Sequence, residues 1–278
     1  MIRLNRTHVI AVCNQKGGTA KTTTAVNLGV GLALGGRRVL LLDADPQGDL
    51  GAALGWKNTD ELETTLATIM GKIIRDEPLS PHEGILQHPE GVDVLPSNLS
   101  LSQMELGLVN AMSRENVMKN YLREVKNDYD YVIIDCMPSL GMLTLNALTA
   151  ADEVIIPVQA QYLPAKGMTQ LLQTVAKVKR QLNPSLRIGG IVMTLVDSRT
   201  NLAKDTIDTI RESYGSGIRI FQAEIPLSVR AAEASGKGES IYAYDPKGKA
   251  AAAYAELTKE VMHDAERQKD RFRSAGAR

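Results

Sequence analysis

The sequence predicts an α/β fold: a doubly wound, mostly parallel sheet with helices on both faces. Three observations carry that expectation. First, short aliphatic runs recur without the polar alternation of a half-exposed strand. Second, longer helical patterns separate these runs, the order that builds parallel sheets. Third, only 4% of residues are aromatic while 44% are hydrophobic, so Ala, Val, Leu and Ile fill the core. Such a core suits a parallel sheet covered by helices. The chain of 278 residues lies within reach of one α/β domain.

Met1–Thr7 is a short basic leader without the apolar core of a signal peptide. His8–Cys13 (HVIAVC) reads as the first strand, and Ala20–Leu34 as a helix stopped by Gly35-Gly36. Val39–Leu42 (VLLL) is the next strand. The stretch Trp56–Gly91 is expected to hold one helix, Asp60–Gly71, and a surface loop rich in Pro, His and Glu. Tyr131–Ile134 (YVII), Val154–Val158 (VIIPV) and Ile188–Thr194 (IGGIVMT) are further strands. Pro164 is placed to open a helix reaching Leu182, which Asn183-Pro184 would end. A last helix starts near Lys247 and runs through Met262. Residues 263–278 lose the apolar stripe and are expected to fray. The reading is therefore a single domain over 8–262, between the leader 1–7 and the charged tail 263–278.

Lys plus Arg and Asp plus Glu each number 32, so formal net charge is zero. A basic field over the whole chain is excluded, and any nucleic-acid binding must use a local patch. The two cysteines, Cys13 and Cys136, make no disulfide framework and read as buried thiols. No run is long enough to span a bilayer, so a cytoplasmic protein is expected.

The strongest signal is Lys16-Gly17-Gly18-Thr19-Ala20-Lys21-Thr22-Thr23, between a predicted strand and a predicted helix. Glycines let the backbone curl around phosphate oxygens with N–H groups pointing inward, and the helix offers its positive end to the same anion. Lys21 would contact the β- and γ-phosphates of a nucleotide, and the Thr22 hydroxyl would bind Mg²⁺. The general pattern G-x-x-x-x-G-K-[ST] is not met, because Gln15 and Ala20 occupy the two glycine positions.

Two acidic motifs follow strands. VLLL runs into Asp43-Ala44-Asp45-Pro46-Gln47-Gly48, and the two carboxylates, two residues apart on an extended chain, share a face. YVII ends in Asp135, followed by Cys136-Met137-Pro138-Ser139-Leu140-Gly141. Carboxylates at strand C-termini point into the crevice where open α/β sheets bind ligands. Phosphoryl transfer needs charge to hold Mg²⁺ and a group to position the attacking water. Asp135 fits the first need, holding Mg²⁺ through a water.

Taken together, these motifs resemble the ParA/MinD family, whose deviant phosphate loop usually reads KGGxGKTT, and within it the ParA/Soj-type partition ATPases. The likeness covers about Val9 to Met262 and includes DSRTNLA, IPLSVRAAEAS and GKGESIYAYDPKGKAAAAY; it is weakest over Trp56–Gly91. It implies that Lys16 reaches the partner's nucleotide across an ATP-dependent homodimer. It also implies that Asp45 positions or activates water while Asp43 supports the metal shell. Residues Gly17 to Thr23 would cradle ATP, with adenine near Thr194 and Pro226. In the Soj-like proteins the arginines matching Arg199 and Arg230 carry non-specific DNA binding, and Lys237 lies in the neighbouring basic stretch. A ParB-like centromere-binding protein is the implied partner. Ala20 departs from the commonest form, its methyl adding bulk beside phosphate, and Met137 replaces a proline. Arg230 lies far along the chain from every phosphate motif, so its loss is expected to spare nucleotide binding.

Three alternative readings compete with this one. A MinD-like membrane ATPase needs an apolar amphipathic tail, but beyond Met262 the only large apolar residue is Phe272. A nitrogenase-iron-protein-like reductase needs surface thiols for a cluster, whereas Cys13 belongs to a core strand. A nucleotide-gated scaffold that does not hydrolyse ATP is kept open by Ala20.

Overall fold

The computed structural model describes residues 7–160 and 165–275. In chain order the regular elements are β1 (His8–Val12), α1 (Lys21–Leu34), β2 (Val39–Ala44), α2 (Asp49–Ala53), α3 (Leu66–Ile74), β3 (Leu86–Gln87) and β4 (Val92–Leu95). Then come α4 (Ser100–Leu108), α5 (Val117–Val125), β5 (Tyr131–Cys136), α6 (Met142–Ala150), β6 (Glu153–Gln159), α7 (Ala165–Gln181) and β7 (Arg187–Val196). The chain continues through α8 (Asn201–Tyr214), β8 (Ile220–Pro226), α9 (Val229–Lys237), α10 (Ile241–Tyr244) and α11 (Lys249–Ala275).

The strands form one sheet in the order β3-β4-β2-β5-β1-β6-β7-β8. Every pairing is parallel except that of β3 with β4. The predicted doubly wound α/β class is therefore the observed one. Side-chain alternation along each strand explains the two helical layers. Leu40, Leu42, Val132 and Ile134 enter one core, under α3, α5, α6 and α7. Val39, Leu41, Tyr131 and Ile133 enter the other, under α1 and α11. Both faces need apolar cover, which is why these strands read as continuous aliphatic runs.

Several elements differ from the sequence expectation. Asp60–Gly71 is not one helix: a single 3-10 turn occupies Thr59–Glu61, and α3 starts only at Leu66. Thr65 sets that start, because its backbone N–H donates to Thr68 Oγ1 in a reciprocal cap. The last helix passes Met262 and continues to Ala275, so the fraying expected from 263 onward is not what the backbone does. Ala265 is still buried there, Glu266 pairs with Arg37, and Asp264 pairs with Arg219. Pro164 lies outside the described residues. At the other end of its helix, Asn183 does stop the chain: its amide donates to the carbonyls of Leu148 and Ala151.

Candidate nucleotide site

The register brings the three motifs to one edge of the sheet. Asp135 on β5 pairs with Val12 on β1 and with Asp43 on β2, so the phosphate loop leaves β1 beside both carboxylates. Strands β2, β5 and β1 are not consecutive in sequence; only the pairing order makes them neighbours.

The loop between β1 and α1 is already curled. Gly18 has φ 71, and Ala20, capping α1, has φ 60 and ψ 36. Alternation into the left-handed region turns successive N–H groups to one side, the geometry of an anion nest. Ala20 adopts it despite carrying a Cβ, and its carbonyl accepts the Thr24 N–H at 2.9 Å. Side chains brace the loop from below. Asn14 donates to the Pro157 carbonyl at 2.7 Å and accepts the Lys16 N–H at 3.0 Å. Lys21 is buried, with Nζ 3.5 Å from the Lys16 carbonyl. The Lys16 ammonium reaches Gln159 Oε1 on β6 at 3.3 Å.

Asp135 is the electrostatic centre of the site. It is fully buried, and neither carboxylate oxygen has a hydrogen-bond partner. Burial pushes its pKa up to about 7, against the pull of the neighbouring Thr22 hydroxyl and Lys21 ammonium. A buried carboxylate without donors is costly unless a cation completes it. With Thr22 beside it, the donor set is two hard oxygen groups, the chemistry Mg²⁺ prefers when phosphates and waters supply the rest.

Asp43 is held by backbone amides. Its Oδ1 accepts the Asp45 N–H at 3.1 Å, and its Oδ2 accepts the N–H groups of Leu50 and Gly51 at 3.2 and 3.3 Å. Both oxygens are thus engaged by backbone, and the second one caps the free amides at the start of α2. Burial, with Asp135 nearby, holds the Asp43 pKa well above the usual carboxylate range. Asp45 sits at the mouth, 9% exposed, with its pKa raised mainly by burial. One of its oxygens accepts the Gln47 N–H at 3.0 Å. Gly48 completes the turn at φ 69, where a Cβ would meet the Ser97 carbonyl at 2.9 Å.

Thr194, expected near adenine, is fully buried, and its hydroxyl donates to the Thr19 carbonyl at 3.0 Å. Its side chain thereby braces the phosphate loop. Pro226 ends β8 opposite Val196, and the next residue, Leu227, donates its N–H to the Val196 carbonyl. Strands β7 and β8 therefore end side by side, with Arg199 in the turn after β7 and Arg230 in the first turn of α9 after β8. Both side chains are exposed, at 85% and 63%. Arg199 makes a two-point pair with Asp197, which pulls that carboxyl down to about 2. Arg230 lies 3.5 Å from Asp245. Lys237 is exposed at the far end of α9. The chain leads into Arg230 from β8, which lies three strands from β1, roughly 14 Å at ~4.8 Å per strand, on the same edge of the sheet as the phosphate loop.

Sequence reading missed Asn14, Gln159 and Glu105 as supports. Glu105 Oε1 lies 3.4 Å from the Leu143 N–H, steadying the turn after Asp135. Nothing local signals these residues, because each acts on a segment far away in sequence.

A family model for the AAA domain, AAA_31, matches residues 7–188. The chain is 42% identical over 258 residues to the sporulation initiation inhibitor protein Soj of Bacillus subtilis, covering 91% of this chain and 97% of that protein. It is 41% identical to the chromosome partitioning protein ParA of Myxococcus xanthus, covering 91% and 87%. The chain belongs to the ParA/Soj family of P-loop ATPases. Among solved structures, a Mycobacterium smegmatis protein described as cobyrinic acid a,c-diamide synthase, with bound ADP and magnesium, superposes with a TM-score of 0.80. That pair shares 37% identity and covers 92% of this chain and 94% of the other. Pyrococcus horikoshii MinD, at 24% identity and a TM-score of 0.70, shares the fold. Among the described residues of this ParA/Soj family member, no helix is long and apolar enough to cross a membrane.

Proposed function

We propose that this partition ATPase binds ATP with Mg²⁺, dimerises on ATP, attaches to DNA without sequence preference, and lets go when ATP is hydrolysed. The observation that carries the nucleotide half is Asp135, buried without a hydrogen-bond partner beside Thr22 and Lys21. Asp135 and Thr22 would hold the metal, which when bound neutralises charge developing on the β- and γ-phosphate oxygens. The N–H groups of Gly17 to Thr23 hold the phosphates, and Lys21 turns from the Lys16 carbonyl to meet them. Asp45, at the mouth of the site, orients the attacking water. Relatives solved with ADP or an ATP analogue and magnesium support this reading.

For the dimer, Lys16 must leave Gln159 and cross to the partner's nucleotide. The exchange is affordable: a neutral acceptor lost on one side is replaced by a phosphate on the other, and charge-assisted bonds are the stronger kind. For DNA, Arg199 after β7 and Arg230 in the first turn of α9 after β8 form a local cationic face despite zero net charge. Both guanidinium groups are exposed while their carboxylate partners are mostly covered, and pairs open to water on one side are weak, so a phosphate can compete for the guanidinium. Dimerisation doubles the face and adds avidity through effective concentration. A ParB-like centromere-binding protein stimulates hydrolysis in this reading, and the protein works in the cytoplasm on the nucleoid.

A DNA titration with ATP, with ADP and without nucleotide, at several salt concentrations, tests the reading. ATP should give the tightest binding, and each arginine lost should flatten the salt dependence by about one phosphate contact. Equal binding in all three states, or wild-type affinity in the Arg199→Ala/Arg230→Ala double variant, would refute the DNA-carrier reading and leave the ATPase assignment standing.

A further inference from the structure

We infer that a cavity between α3, α5 and the connecting segment 76–83 is a second ligand site, one that takes an organic cation carried on an apolar stem. The site lies beyond the proposed ATP and DNA functions. The cavity measures about 470 Å³, within the ~300–1,000 Å³ typical of small-ligand sites. It sits where α3 and α5 end and the chain turns into β5. That is the opposite end of the parallel sheet from Asp135, so no residue of the nucleotide site lines it.

Two independent features define what fits. The first is Tyr121. It is 2% exposed, lines the cavity, and its hydroxyl has no hydrogen-bond partner. Burial and the carboxylate of Glu83, another lining residue, both push its pKa up, so the hydroxyl stays protonated and sits within the field of that rim. A buried hydroxyl left unpaired in the free protein asks for a partner from outside. The second is the wall. Ile69, Ile73, Leu79 and Val125 supply an apolar floor, while Asp76, Glu77, Glu83, Glu124 and Asp128 supply carboxylates. Among the described residues no lysine or arginine lines the cavity.

The carboxylates are not all available. Glu83 pairs with Lys72 and Glu77 with Arg75, from just outside the cavity, and His82 lies 3.4 Å from Asp128. Asp76 and Glu124 remain to meet an incoming cation. An ammonium or guanidinium group would pair with them while its methylene stem lies along the apolar floor, as long basic side chains do elsewhere. One of its N–H groups would donate to the Tyr121 oxygen. Anions are repelled by the rim, and a purely apolar ligand would leave the hydroxyl unpaired.

The same chemistry could come from a free polyamine or from a Lys or Arg side chain of a partner protein. Methyl NMR on Ile69, Ile73 and Val125 at ~0.15 M salt tests the site and separates the sources, with spermidine in one arm and a short Leu/Arg peptide in the other. The expected result is saturable shifts in one arm, and that arm identifies the source. The Asp76→Asn/Glu124→Gln variant, altered only at exposed positions, should bind at least tenfold more weakly. Tyr121→Phe should bind several-fold more weakly without melting lower, because it removes a group the free protein leaves unpaired. No saturation in either arm by about 10 mM would overturn the proposal. So would wild-type affinity in either variant.

Discussion

Replacing Asp135 by Asn should stabilise the protein in the absence of metal while abolishing its response to Mg²⁺. The folded chain holds this carboxyl buried and without donors, at a pKa of about 7 against an ordinary 3.8. Between those values the unfolded chain has released a proton that the folded chain keeps, so folding stability falls as pH rises from about 4 to about 7 and is level above. At ~1.4 kcal/mol per pH unit, the gap destabilises the ionised, metal-free fold by about 4 kcal/mol. Asn cannot ionise and escapes that cost. Asp43, whose own carboxyl is raised partly by Asp135, relaxes in the same direction. The assay is urea unfolding in EDTA without nucleotide, comparing wild type and variant from pH 5.5 to pH 8. Over that range the variant's advantage should grow by about 2 kcal/mol. Mg²⁺ with ATP should then stabilise the wild type and leave the variant unmoved. A variant that is less stable at pH 8, or an advantage that does not change with pH, would show that Asp135 is not an uncompensated buried charge.

Other substitutions test the remaining parts. Ala20→Gly relieves a left-handed alanine worth ~1–2 kcal/mol but restores ~0.5–1 kcal/mol of backbone freedom to the unfolded chain, so melting without nucleotide should rise by about 1–3 °C; a lower melting temperature would mean that φ 60 is not strained here. Asp45→Ala should lose ATP hydrolysis but keep ATP binding, measured by phosphate release alongside nucleotide titration, and unchanged turnover would remove its role in orienting water. Lys16→Ala should bind ATP yet stay monomeric by light scattering with ATP and Mg²⁺, whereas the Asp45→Ala protein should be dimeric; a Lys16→Ala dimer would end the reading in which Lys16 crosses between subunits.

The phosphate loop was legible because its requirements are local. Backbone N–H groups must converge within eight residues, and glycine with a following Lys-Thr is how a chain achieves it. Asp43, Asp45 and Asp135 were legible as acidic ends to aliphatic strands. Their roles were not equally so. Whether a buried carboxylate meets backbone amides depends on what packs against it, and only the fold put the amides of α2 on Asp43 while leaving Asp135 buried beside Thr22 and Lys21. The strand Val92–Leu95 went unread because Asp93 interrupts a very short run; its partner, Tyr129, lies 36 residues away. Ile220–Pro226 went unread because it is an edge strand whose burial alternates.

From sequence alone came the α/β class, the phosphate loop, the acidic strand ends and the family likeness. All follow from short-range rules: hydrophobic period, glycine freedom and residue chemistry at element ends. Tertiary structure decided that β5 inserts between β2 and β1, that Thr194 braces the loop, that Arg230 stands on the same edge as the nucleotide site, and that Tyr121 faces a cavity. Those outcomes depend on which distant segments share apolar surface. Burial area is gained between elements, so no single segment of the chain carries the information by itself.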